Sequence, residues 1–177
     1  MNVDQSDKCN PDIQLDLESF PWPWVDSTVE EVKLTHILEH IGSSPTAFLS
    51  FIRELWRVCL PSARIDVLVP HPRCDEFLWD VTHVRPITFE GLRMFSQQRN
   101  QEMISTANPE TPLGIYNNVD FDIVQVKYIW KRNWAMLLEA GKVTPEDLAK
   151  NLTTQLNVAK EIQIEMRVVK PQRVTPS

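Results

Sequence analysis

The sequence predicts a three-layer α/β fold built on a mostly parallel sheet with an antiparallel strand at one edge. Two observations carry that expectation. Residues 29–69 read as strand, helix, strand, which within one sheet implies a parallel crossover unit. Two later strand-like stretches, at 119–129 and 161–170, are separated by a helical insertion and suit an antiparallel pair. The 177 residues, 42% apolar and 24% charged, are enough for one domain around a single core.

Along the chain, two short extended pieces come first, at 2–4 and 13–15. Phe20-Pro21-Trp22-Pro23-Trp24 follows, a stretch whose prolines forbid helix. The strand at 29–35 places Val32 and Leu34 on one face. The helix at 45–59 has Ser44 as N-cap and Pro45 at its first position, and Pro61 is expected to stop it. Its apolar stripe is Phe48, Phe51, Ile52, Leu55, Trp56 and Cys59. Residues 65–69 form an apolar run expected to be buried on both faces. A helix is expected at 88–97 and a long strand at 119–129, with Val119, Phe121 and Ile123 on one side. Thr144-Pro145-Glu146-Asp147 starts another helix, whose buried edge is Leu148, Leu152 and Leu156. Ile162, Ile164, Met166 and Val168 alternate with polar residues in the closing strand. The expected organisation is a single domain over 1–170 and a flexible tail over 171–177.

Composition narrows the partners. The net charge of −6 is concentrated in residues 1–40, where nine acids face two bases, and no Lys/Arg stripe exists to neutralise phosphates. No nucleic-acid partner is therefore expected. No membrane partner is expected either, since no apolar run approaches the ~20 residues of a spanning helix. The polar, acidic start is unlike a signal peptide, and Cys9, Cys59 and Cys74 form no CxxC pair. Reduced thiols in a cytoplasmic setting follow.

Three ordered stretches resemble one family. Asp16-Leu17-Glu18-Ser19-Phe20-Pro21-Trp22 is similar to a "DLxxLPF" turn. Val32-Lys33-Leu34-Thr35-His36-Ile37-Leu38-Glu39-His40 is similar to "V-x-x-x-H-x-L-E-H", and Glu54-Leu55-Trp56-Arg57-Val58-Cys59-Leu60-Pro61 follows it at helical distance. Val69-Pro70-His71 with Asp80-Val81-Thr82-His83-Val84-Arg85 is similar to "V-P-H … D-P-T-H-x-R". Together they resemble class I S-adenosylmethionine (SAM)-dependent methyltransferases, over roughly residues 2–96 and again in the closing strand. The resemblance implies a Rossmann-like sheet and SAM as cofactor. It assigns Asp4 to the ribose hydroxyls, Asp16 and Leu17 to the adenine, and His36 to the methyl-donor side of the pocket. His71, Asp80 and His83 fall on the substrate side, and with His36 they are the candidate catalytic residues.

In that family a strand ending in a G-x-G loop precedes all these motifs and lets the backbone approach the cofactor. The four glycines here are Gly42, Gly91, Gly114 and Gly141, none before residue 42 and no two close together. The expectation is a fold whose first family strand has no counterpart in these residues, with cofactor binding weakened or lost. Met1-Asn2-Val3-Asp4 resembles the family's internal second strand, so coding sequence upstream or another polypeptide are the expected sources of the missing loop.

Two functions follow. One is SAM-dependent methyl transfer to a small-molecule or sugar-like acceptor. The other is a non-catalytic binding or assembly module, whose unpaired sheet edges favour a homodimer or another protein partner. A metal site is not expected. His36-Ile37-Leu38-Glu39-His40 matches the H-x-x-E-H pattern of one zinc protease class, but that chemistry needs both histidines on one helical face. Here the string spans a strand–helix junction, and Glu39 and His40 read as capping and packing residues. The tryptophans read mostly as core, with Trp79, Trp130 and Trp134 sharing an alternative partner surface.

Overall fold

The protein is described as a computed structural model covering residues 1–174. Strands β1 (Val3–Asp4) and β2 (Ile13–Gln14) flank a short 3-10 turn and are followed by β3 (Val29–Thr35). Helix α1 (Pro45–Val58) leads directly into β4 (Cys59–Pro70). Four short helices come next: α2 (Asp75–Trp79), α3 (Phe89–Arg93), α4 (Gln97–Ser105) and α5 (Leu113–Asn117). The chain closes with β5 (Phe121–Trp130), α6 (Arg132–Glu139), α7 (Pro145–Thr154) and β6 (Ala159–Val168).

The strands form two sheets. β1 pairs β2 in parallel, and a separate four-stranded sheet has the order β3-β4-β6-β5. β3 runs parallel to β4, while β6 is antiparallel to both β4 and β5. β3, β4 and β5 therefore share one direction, and the sheet is mostly parallel as expected. The reversed strand β6 lies one place in from the edge rather than at it. Its partners on both sides protect the Ile162, Ile164, Met166 and Val168 row, which is at most 2% exposed.

That row joins Ile65, Val67 and Val69 of β4 on one face, against Phe51, Ile52 and Leu55 of α1. Each such side chain contributes roughly 1.5–3 kcal/mol by leaving water. The opposite face differs from expectation, because β4 is not apolar on both sides. Arg64 pairs with Asp66 at 3.0 Å and Glu165 at 3.3 Å, and Arg167 with Glu165 at 2.9 Å, all half-buried.

Local chemistry sets the boundaries. Ser44 Oγ accepts from the Ala47 amide at 3.2 Å, with Pro45 in the first turn of α1. Pro61 does not end this helix. The amides of Ser27 and Thr28 donate to the carbonyls of Arg57 and Val58, and Lys170 Nζ donates to Arg57 O, so the last turn is satisfied from outside. β4 begins at once and carries Pro61 near its start. The helix expected at 88–97 is two helices, because Ser96 Oγ caps a new start by accepting from Arg99 N. α7 keeps the Thr144–Asp147 capping box and buries Leu148, but stops at Thr154, which leaves Leu156 56% exposed. Trp22 is core and Trp79 is 70% exposed. The three thiols are unpaired, and burial pushes Cys59 up to about 11. Part of the expected tail, 175–177, lies outside the described residues. Before it, Arg173 pairs with Asp120 at 3.1 Å and Asp122 at 2.6 Å. Among the described residues no helix is long and apolar enough to cross a membrane.

The aromatic-proline loop is fixed to α1 by one carboxylate. Glu54 accepts from the Trp22 amide at 2.7 Å and from Arg57 Nη2 at 2.6 Å and Nε at 2.9 Å. Arg57 also pairs with Asp26 and donates to Trp22 O. Trp22 meets Phe51 edge-on at 5.2 Å. The Arg57 guanidinium holds the Glu54 carboxyl below its ordinary 4.5, so this stabilisation is present above that pH and fades as pH falls through the lowered value. Glu54→Gln is expected to unfold at lower denaturant than the parent at neutral pH. The gap should close as denaturation is repeated below pH 4.5.

Candidate functional site

Parallel sheets expose loop backbone and side chains beyond the carboxyl ends of their strands, and ligands gather there. β3 ends at Thr35 and β4 at Pro70, while the reversed strand β6 starts at the same end. A cavity of about 340 Å³ lies there, lined by His36, Glu39, His40, Pro70, Glu76, Asp80, His83, Lys160 and Glu161. Three of the four candidate catalytic residues, His36, Asp80 and His83, thus share one cavity. The fourth does not.

His36 leaves β3 in a left-handed conformation, φ 53°, while its amide donates to Leu68 O at 2.8 Å. The turn points its ring between two carboxylates: Nδ1 lies 3.4 Å from Glu39 Oε1 and Nε2 lies 3.3 Å from Glu161 Oε1. Asp80 accepts from the Thr82 hydroxyl at 2.5 Å and the Thr82 amide at 2.8 Å, which holds its carboxyl below the usual range. His83 Nδ1 meets Phe77 O at 2.7 Å, and its Nε2 is 3.8 Å from Asp80 Oδ2. His71 lines a different cavity with Tyr128 and Phe89, and burial together with the nearby Arg73 lowers its pKa.

Glu39 is not the capping residue the sequence suggested. It is 1% exposed, and neither carboxylate oxygen has a hydrogen-bond partner. Residues 36–40 do not form a helix either, so the H-x-x-E-H string is spread over a tight turn. Glu76, Lys160 and Glu161 escaped the sequence reading. Glu161 is the first acid of an alternating strand, and nothing in that alternation marks it as facing a cavity.

The residues that the resemblance assigns to SAM lie on adjoining segments: the Leu15 amide donates to Asp4 O at 2.9 Å, which places Asp4 beside the Asp16–Leu17 turn. Leu17 lines one cavity with Ile37, and His36 lines another. Asp16 turns inward on its own loop, accepting from Glu18 N at 2.9 Å and Ser19 Oγ at 3.0 Å. Asp4 accepts from Ser6 N at 2.7 Å. Leu17 packs against the core and receives the Trp22 indole N–H on its carbonyl. Two carboxylates and an apolar side chain on adjoining turns suit the ribose and adenine parts of the cofactor and leave the rest of it to other groups.

Beside them lies an open slot. A cavity of about 200 Å³ separates Met1, Asn2 and Val3 from Val29, Glu31, Val32, Lys33 and Leu34, over a floor of Trp22, Phe51, Leu55 and Val58. β3 pairs only with β4, and β1 only with β2. Since the His36 amide donates to β4, the two-residue period turns Leu34 and Val32 toward β4. The N–H and C=O groups of Glu31, Lys33 and Thr35 then face the slot.

Thr82→Val removes the hydroxyl that donates to Asp80 while keeping the amide. The Asp80 carboxyl is expected to titrate at higher pH in this variant than in the parent, as followed by carboxyl-carbon NMR.

No protein-family model and no curated protein matches the sequence. Among solved structures, the chain is similar to a SAM-dependent methyltransferase from Archaeoglobus fulgidus, with a TM-score of 0.61 at 15% identity, covering 93% of this chain and 74% of that one. A weaker likeness is to a SAM-dependent methyltransferase from Methanosarcina mazei, with a TM-score of 0.44 at 12% identity, covering 88% and 65%. Another is to a 16S rRNA adenine methyltransferase from Catenulisporales acidiphilia, with a TM-score of 0.42 at 12% identity, covering 92% and 63%. The first of these bears on the architecture: this chain has a class I SAM-dependent methyltransferase-like fold.

Proposed function

We propose that this chain is the acceptor-side portion of a SAM-dependent methyltransferase, competent once a further strand occupies the slot between β1 and β3. The slot itself carries the reading. It has a floor of buried apolar side chains, backbone groups of β3 directed into it, and the start of β1 on its other side. An apolar strand running parallel to β3 and followed by a glycine-containing turn would satisfy those groups. A longer form of the chain or a separate polypeptide could supply it.

The cavity beyond the strand ends suits a small acceptor bearing hydroxyls or an amine, such as a sugar-like molecule. Its walls carry three imidazoles, four carboxylates and the Lys160 ammonium beside Pro70, groups that can hydrogen-bond a polar acceptor. Methyl transfer asks for a nucleophile held in line and, for a hydroxyl or ammonium, removal of a proton. His36, between Glu39 and Glu161, is the base in this reading, while Asp80 and His83 position the acceptor. His71 takes no part. The acidic balance favours a small acceptor over nucleic acid, and the three unpaired thiols favour a cytoplasmic setting.

The same open edge supports a second reading, an assembly module in which two copies or another protein cover β3 without chemistry. Calorimetric titration with SAM separates the two. The chain alone is expected to give no heat, whereas addition of an apolar peptide ending in Gly-x-Gly should produce binding that Asp16→Ala removes. Binding by the lone chain, abolished by Asp16→Ala, would replace this reading with a self-sufficient half-site. No heat in either arm would favour the assembly module.

A further inference from the structure

We propose that Glu39, His40 and His83 form a binding site for a first-row divalent metal ion of the zinc or cobalt type. One potential ligand atom from each lies within 4.8 Å of the other two. The segments that bring them together are far apart in sequence. Glu39 and His40 sit in the turn after β3, and His83 arrives on the loop after α2. That loop is pinned to the turn by the Val84 amide, which donates to Glu39 O at 2.9 Å, and by the Arg85 guanidinium on the Ile41 and Gly42 carbonyls.

The Glu39 carboxylate supplies the independent observation. At 1% exposure, with both oxygens lacking a hydrogen-bond donor, it is an unsatisfied buried anion. His36 Nδ1, 3.4 Å away, is not aligned to donate to it. An arrangement of this kind is costly unless a cation compensates it.

The two imidazoles are already in the tautomer a metal needs. Phe77 O can only accept, so the 2.7 Å contact puts the His83 proton on Nδ1 and leaves the Nε2 lone pair free. The single proton of Thr82 is committed to Asp80 Oδ1, so Thr82 Oγ1 accepts from His40 Nδ1 at 3.0 Å, which again frees Nε2. A backbone carbonyl behind one histidine and a hydroxyl–carboxylate relay behind the other are typical of the outer shell that orients metal-binding imidazoles. The rings meet edge to face with centroids 4.7 Å apart. Two imidazole nitrogens and one carboxylate oxygen suit zinc and neighbouring first-row dications, and their remaining coordination positions open onto the 340 Å³ cavity. Metal binding does not rest on the methyl-transfer reading, and its readout is independent of activity.

Titration of the full 177-residue chain with Co²⁺, followed by visible d–d absorption and calorimetry, tests the site. One equivalent of four- or five-coordinate Co²⁺, displaced by Zn²⁺, is expected. His83→Ala and Glu39→Gln should each weaken binding by more than about 100-fold, and Thr82→Val, which loosens only the outer shell, by about 10-fold. Cys9→Ser, at an exposed thiol outside the site, should leave binding unchanged. If Glu39→Gln fails to give the parent circular dichroism spectrum, His40→Gln takes its place. Absence of Co²⁺ binding to the parent overturns the proposal. So does binding that survives both His83→Ala and the residue 39 or 40 variant, and so does binding that Cys9→Ser abolishes.

Discussion

A strand in a sheet has two sides, and backbone groups on each must find partners in protein or water. In this chain β3 has a partner strand on one side only. β4 takes the amide of His36 and, by the two-residue period, those of Leu34 and Val32. The groups of Glu31, Lys33 and Thr35 face a slot whose far side is Met1, Asn2 and Val3, at the start of β1. Much else follows from that division. It leaves Leu17 and Ile37 lining one slot, with Trp22 and Phe51 as a floor at its base. The carboxylate of Glu54 then acts as the tie that keeps the aromatic loop over that floor.

Titratable side chains are concentrated beyond the carboxyl ends of β3 and β4. Three loops, after β3, after β4 and before β6, converge on a cavity rich in histidine and carboxylate. Their positions need no strand in the slot, because β3, β4 and β6 already form a continuous sheet around the shared core. The polar cavity and the Glu39, His40 and His83 cluster are therefore assembled within this chain, while the β1 and β3 strands remain unpaired with each other. That asymmetry links the two proposals: one region is built and polar, the other is open and apolar.

Much of the fold was legible in the sequence where a local signal and burial agreed. Ser44 and Pro45 marked the start of α1, and the Thr144–Asp147 capping box marked α7. The Ile162–Val168 alternation gave a strand buried on one face. Where tertiary bonds overrode the local signal, the reading failed. Pro61 looks like a helix stop, but the Ser27, Thr28 and Lys170 donors end α1 before it. Asp66 interrupts an apolar run and places its carboxylate toward Arg64 on the less buried face. His36, Asp80 and His83, singled out by motifs, line one cavity. The part played by Glu39 was hidden, because its burial arises from a loop more than forty residues later in the chain. Glu161 became visible only when β6 was threaded antiparallel beside β4.

The open edge of β3 is the claim on which the account stands, and single-residue hydrogen exchange on the monomeric chain tests it directly. The amides of Glu31, Lys33 and Thr35 should exchange much faster than those of Val32 and Leu34 in the same strand, an alternation only a one-sided strand produces. Equal protection of all five amides would contradict the account, because it would mean that the slot is already filled.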